Sequence, residues 1–245
     1  MKRFRLAPAV LALIVLAGCG KTDEANVSKA EGSTAAVAAP AGTTWAEKIV
    51  ATDEGVQMGN PDAAIKVIEY GSYTCPHCRD FNAESQAPLE KDYVNTGKIS
   101  FEYRNLVRDP VDITVALIAH CGGPEMFFPL SAQLFANQEP MITALQAVGD
   151  AGYKAAMAAP AEQRFIKLAE AAGLIEFAKQ RGLPEDKVRA CLADPKQAAR
   201  LAKITEESSS KYNITGTPSF LLNGTLLDNT ATWAALQAKL RDAGA

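Results

Sequence analysis

Apolar residues along this chain keep two periods, and the switch between them lays out the elements. Ile65-Lys66-Val67-Ile68-Glu69-Tyr70 is rich in β-branched residues and reads as a strand. After Cys78 the pattern turns helical through Phe81 and Leu89, with Pro88 expected to kink the helix. Lys98 to Arg104 reads as a second strand. Asp109-Pro110 signals a helix start, a capping side chain followed by a proline whose missing N–H costs nothing there. From that point to about Tyr212 helical spacing prevails, as in Leu168, Ala172 and Ile175 or Val188, Cys191 and Leu192. Gly122-Gly123-Pro124, Gly149 to Gly152, Gly182 and Asp194-Pro195 punctuate it. Pro218 to Leu222 then faces Gly224 to Leu227 across Asn223-Gly224, a dipeptide suited to a two-residue hairpin turn. Thr230 is expected to cap a last helix running to about Arg241. The order is strand, helix, strand, a long helical stretch, hairpin, helix, with no internal repeat. An α/β unit interrupted by a helical insertion is expected.

Composition narrows this picture. With 245 residues, 48% of them hydrophobic and 22% charged, the chain can bury a sizeable core and is neither disordered nor fibrous. Twenty-five basic residues against 28 acidic ones, with a pI near 5.5, give no global attraction to nucleic acid, and no such partner is expected. The beginning of the chain reads as an address. Lys2, Arg3 and Arg5 precede an apolar run from Leu6 to Ala17, short for a spanning helix and typical of a signal peptide. The run ends in Leu16-Ala17-Gly18-Cys19, which resembles a bacterial lipobox: cleavage before Cys19 and acylation of its thiol would tether the protein to a bilayer. An ordinary secretory signal with an incidental cysteine is the alternative. Loss of the three cations takes the formal charge from −3 to −6. Gly20 stands where inner-membrane lipoproteins carry aspartate, so the outer membrane is favoured over the inner. Residues 20 to about 44 hold almost no large apolar side chain and read as a flexible leash reaching roughly 25–30 Å. Folded structure is expected to begin between Trp45 and Gly55. The expected division is a signal peptide over 1–18, a tether over 19–50, the α/β unit over 51–110 and 213–245, and the helical insertion over 111–212.

The candidate chemistry is sulfur. Cys75-Pro76-His77-Cys78 sits where a strand gives way to a helix, so Cys75 meets the unsatisfied N–H groups of a helix N-terminus. Those donors and the helix dipole favour thiolate over thiol, and His77 is a candidate cationic neighbour. Cys78, one turn deeper, is placed to close a disulfide with Cys75, so the pair can exchange two electrons with other thiols. The same spacing serves as half of a zinc site, with His120-Cys121 as the remaining donors, or as an inert disulfide. No second CxxC exists to complete a zinc site, and no metal is expected.

Val67-Ile68-Glu69-Tyr70 before Cys75-Pro76-His77-Cys78, with Thr215-Gly216-Thr217-Pro218-Ser219-Phe220 far downstream, resembles the DsbA-like branch of the thioredoxin-fold thiol:disulfide oxidoreductases. The likeness covers about residues 56–242. It implies a thioredoxin fold with a helical domain between its halves, and no cofactor beyond the Cys75–Cys78 pair. It also implies a cis Pro218 against the active-site sulfurs, with Thr217 backbone free to pair with substrate; a trans proline opening an edge strand is the other reading. Glu69 matches the family's buried acid, which relays protons to the deeper cysteine, although a strand-edge glutamate facing water fits the pattern equally. Cys121 and Cys191 are expected to pair in an oxidising compartment, as some family members do, against the alternative of two buried thiols. The function so implied is oxidation of exported, partly folded proteins by a monomeric envelope lipoprotein, re-oxidised by a membrane partner. A reductase or isomerase with the same site, or a redox-silent binding lipoprotein, are the competing functions.

Overall fold

The computed structural model describes residues 35–245; the expected signal peptide and lipobox with Cys19 lie outside them. A mixed six-stranded sheet forms the centre, in the order β1-β2-β4-β3-β5-β6. Its middle strands are β3 (Ile65–Gly71) and β4 (Ile99–Asn105), which run parallel. β5 (Ser219–Leu222) lies antiparallel to β3 on the other side and pairs with the short β6 (Thr225–Leu226). Asn223 and Gly224 both have positive φ, 49° and 83°, as the two-residue turn between β5 and β6 requires.

The first two strands are an addition to the sequence expectation. β1 (Ile49–Ala51) and β2 (Val56–Gly59) form a hairpin whose second strand pairs with β4. Within the described residues the tether expected over 19–50 is corrected from Val37 onward, and its part before residue 35 lies outside them. The Val37 N–H donates to the Thr96 carbonyl at 2.8 Å, and the Trp45 indole donates to the Val37 carbonyl at 2.7 Å. Strands of three and four residues are too short to show a hydrophobic period, and an Ala/Thr-rich stretch hides a docked segment.

α1 (Pro76–Pro88) follows β3 and continues through one π-helical turn (Leu89–Tyr93) and a 3₁₀ turn, so Pro88 changes the winding where a kink was expected. Phe81 anchors α1, its ring 4.7 Å from Phe220 on β5 and edge-on to Trp233. Between β4 and β5 run seven helices: α2 (Pro110–Cys121), α3 (Pro124–Ala136), α4 (Gln138–Met157), α5 (Ala161–Ala171), α6 (Leu174–Lys179), α7 (Glu185–Leu192) and α8 (Pro195–Tyr212). The insertion therefore stands where the helical spacing placed it. Its apolar faces are continuous with the sheet: Ile65, Phe81, Leu117, Leu134, Leu174 and Leu192 belong to one buried cluster. Cys121 on α2 and Cys191 on α7 form a disulfide with Cα atoms 5.8 Å apart. α9 (Trp233–Asp242) ends the chain, but its cap is Thr232, whose hydroxyl accepts the Ala235 N–H; Thr230 instead donates to the Asp228 carbonyl. Two threonines one turn-residue apart satisfy the same sequence rule, and only the extended backbone of Thr232 meets the cap geometry.

Candidate active site

β3 ends in Gly71, and this glycine is required by close approach. A Cβ there would lie 2.6 Å from the ring of Tyr103, which packs beneath the start of the reactive loop. Ser72, Tyr73 and Thr74 then lead to Cys75, which caps α1 in an extended conformation with Pro76 at the first helical position. Cys75 and Cys78 are both buried and in the free thiol form. The two sulfurs have opposite surroundings. A hydrogen bond from the Cys78 thiol is the main cause that draws the Cys75 pKa down to about 5, against the opposing effect of burial. The otherwise unpartnered Thr217 hydroxyl and the backbone N–H groups of Cys78 and His77 act in the same direction. Burial foremost, then that same bond and the charges of Glu69 and Cys75, push Cys78 far up. One donor works the other way on Cys78: the Ser72 N–H reaches its sulfur at 3.5 Å.

His77 sits exposed at the second position of α1, and what it contributes to Cys75 is its N–H. The sequence expectation named both the N–H donors of the helix start and the His77 imidazole; the N–H of His77 is among the groups that lower the Cys75 pKa. The Thr217–Pro218 bond is cis, and the Thr217 carbonyl accepts from the Cys75 sulfur at 3.2 Å. Glu69, 3% exposed on β3 between Tyr103 and Phe220, is buried, which removes the solvent-facing alternative. Burial, with the charge of Cys75 second, raises its pKa to about 8. It borders a small cavity of about 20 Å³ that Tyr103, Ser131 and Glu90 also line, room for one water.

His120 lies away from these sulfurs. It is half-buried at the end of α2, bonded through Nε2 to Asn105 Oδ1 at 2.9 Å and packed on Phe127, and the desolvation of its ring lowers its pKa to about 4. Since Cys121 is disulfide-bonded to Cys191, the His120-Cys121 pair cannot complete a zinc site. The sequence reading missed the residues with which the insertion grips the reactive loop. Asp109 Oδ2 accepts from the Thr74 hydroxyl at 3.1 Å, and Gln138 donates to the carbonyls of Tyr73 and Cys75 at 2.8 and 2.9 Å. The hydroxyls of Tyr73 and Ser131 bond at 2.7 Å. Asp112, fully buried, accepts from the Ser72 hydroxyl, the Tyr73 N–H and the Arg108 N–H at 2.6, 2.8 and 3.0 Å. Asp112 carries a weak signal in sequence, a second carboxylate in a first helical turn already capped by Asp109; Gln138 carries none.

A CxxC pair with one sulfur held as thiolate, at a strand-to-helix junction and against a cis-proline loop, defines a thioredoxin-fold thiol site. The chain belongs to the thioredoxin family: the family model described as Thioredoxin matches residues 51–242. A solved structure described as a protein-disulfide isomerase from Novosphingobium aromaticivorans is 36% identical, covers 77% of this chain and 97% of its own, and superposes with a TM-score of 0.73. The structure of Wolbachia pipientis alpha-DsbA1 shares the fold at 19% identity, with a TM-score of 0.62 over 81% of this chain and 95% of that one. A putative protein-disulfide oxidoreductase of Rickettsia bellii is 25% identical over 70% of this chain. The chain spans 58% of that relative's length.

Proposed function

We propose that this protein is a thiol:disulfide oxidoreductase of the bacterial envelope, anchored through acylated Cys19 and working as an oxidant of exported proteins. The observation that carries the reading is the opposition of the two sulfurs, Cys75 drawn down to about 5 and Cys78 pushed up beside it. In the oxidised protein a substrate thiolate attacks Cys75 Sγ. The Cys75–Cys78 bond breaks, its electron pair goes to Cys78 Sγ, and Glu69, mostly protonated at neutral pH, supplies the proton that this sulfur takes up. A second substrate thiolate attacks the substrate sulfur of the mixed disulfide. It releases the substrate disulfide, with Cys75 leaving as the stabilised thiolate. Two electrons have passed to the protein pair. A thiolate stabilised in the reduced pair makes that pair easier to form, so the disulfide is the more oxidising. Thr217, whose carbonyl already faces Cys75, offers backbone groups to an extended substrate, as Pro218 holds them open.

On this reading the partners are thiol-bearing exported polypeptides and a membrane protein that re-oxidises the pair. No cofactor, metal or nucleic acid takes part, and the protein works as a monomer on the periplasmic side, at the outer membrane rather than the inner. The likeness to a chain described as a protein-disulfide isomerase favours a second reading, reshuffling of wrong disulfides by the same Cys75 thiolate. Recovery of a scrambled-disulfide substrate by the reduced protein tests the second reading, and equilibration with glutathione separates an oxidant from a reductant. An oxidant gives a reduction potential nearer about −120 mV than about −270 mV, and Cys78→Ala accumulates substrates as mixed disulfides on Cys75. A potential near the reducing value overturns the oxidant reading.

A further inference from the structure

Asp112 is a buried acid that the exchange steps leave unused, and its bonds point at the reacting sulfurs. Its carboxylate holds three donors, two of them from Ser72 and Tyr73. Ser72 is the residue whose N–H reaches Cys78 Sγ, at 3.5 Å. An N–H···S contact of that length weakens with any retreat of the loop. The loop is short, follows a glycine, and is tied down mainly by side chains of the insertion. Cys78 needs that donor at one moment. When the Cys75–Cys78 bond breaks, negative charge develops on Cys78 Sγ in surroundings that otherwise oppose it.

We propose that Asp112 is a positioning residue for disulfide exchange: from the first turn of α2 it fixes Ser72, so that the Ser72 N–H meets the charge forming on Cys78 Sγ. This rests on the disulfide-exchange reading of the site. Asp112 touches neither sulfur and acts through the backbone of Ser72. Replacement by asparagine puts an NH₂ group against donors, so at least one of the three bonds is lost while volume is kept. In the reduced protein the Ser72 N–H meets a neutral thiol and in the transition state a developing charge, so the loss falls more heavily on the transition state than on that end state. A residue that merely ties the loop in place would, when lost, disturb Cys75 and Cys78 together.

The experiment uses the oxidised full chain and a synthetic dithiol peptide at pH 8. It compares wild type, Asp112→Asn, Ser72→Ala and the double variant for the second-order rate of reduction, the Cys75 thiolate titration and the potential against glutathione. Asp112→Asn is expected to slow reduction about tenfold, equivalent to ~1.4 kcal/mol of barrier, with the Cys75 midpoint and the potential unchanged. Ser72→Ala, which keeps the N–H but loses the hydroxyl bond, should slow it about two- to threefold, and the double variant should be no slower than Asp112→Asn. An unaltered rate in Asp112→Asn overturns the proposal, as does a rate, midpoint and potential that shift together. Should Asp112→Asn not fold, an unaltered rate in Ser72→Ala overturns it alone. A wild-type protein inert to the dithiol peptide would instead bring down the exchange reading, and this proposal with it.

Discussion

Glu69→Gln should make the protein more stable at alkaline pH, which is unusual for a substitution at a buried polar position. The Glu69 carboxyl titrates near 8 in the folded chain against about 4.5 when unfolded, chiefly because burial disfavours its charge. Between those values the unfolded chain has lost this proton and the folded one has kept it. Each pH unit climbed therefore costs the folded state about 1.4 kcal/mol. The acid's full contribution is present below about pH 4.5 and is lost as pH rises towards 8, a total of roughly 4–5 kcal/mol. Glutamine keeps the volume and does not ionise. Urea unfolding of the oxidised proteins at pH 5, 6.5 and 8 should show the variant gaining on wild type by about 1.4 kcal/mol per unit. Oxidised protein is chosen because the Cys75 charge, the smaller cause, is then absent. Stabilities that stay parallel from pH 5 to 8 would refute the assignment of Glu69 as a neutral acid at physiological pH.

Three further outcomes are expected. Thiolate absorbance of the reduced protein should rise with a midpoint near pH 5 from Cys75, and His77→Ala should move that midpoint by less than about half a unit, because the contribution of His77 is its N–H; a larger shift would restore the imidazole as the tuner. Replacing Cys121 and Cys191 together by alanine should lower stability by at most about 4 kcal/mol, the chain-entropy value for a separation of 70 residues, with the dithiol-peptide reaction retained; loss of exchange in a folded double variant would show that this disulfide does more than staple. Metabolic labelling with a fatty acid should mark the wild type and not Cys19→Ser, and label that survives the substitution would remove the anchor.

What the sequence showed and what it hid divides along physical lines. The strand carrying Glu69, the helix behind Cys75 and the insertion were legible because long runs impose a period on their apolar residues. Cys75 and Cys78 were legible because a CxxC at a strand-to-helix junction is sparse and specific, whereas the cis Pro218 was legible only through the family resemblance. β1 and β2 were hidden because their hairpin is held by β2 pairing with β4, over forty residues away, and not by local pattern. The roles of Asp112 and Gln138 were hidden for the same reason. A buried carboxylate and a buried amide acquire meaning only from the backbone groups they meet.

Those hidden contacts bear on how the two parts of the molecule depend on each other. In a thioredoxin-like unit alone, the loop between β3 and the reactive helix would have to find its hydrogen bonds in water. Here its Ser72 hydroxyl, Tyr73 N–H and carbonyl, Thr74 hydroxyl and Cys75 carbonyl are all met by α2 and α4. Each buried group left unmet costs about 1–3 kcal/mol, so excising 110–212 would take the partners of four of these groups at once, all but the Thr74 hydroxyl, which Asp109 meets. The shared apolar core, which joins Phe81 of the unit to Leu117 and Leu134 of the insertion, adds to that cost. The insertion is therefore a wall of the reactive site. The asymmetry of the two sulfurs is set where the helix N-terminus at Cys75 meets the proline loop 142 residues downstream, and the first turn of α2 holds the loop that leads into them.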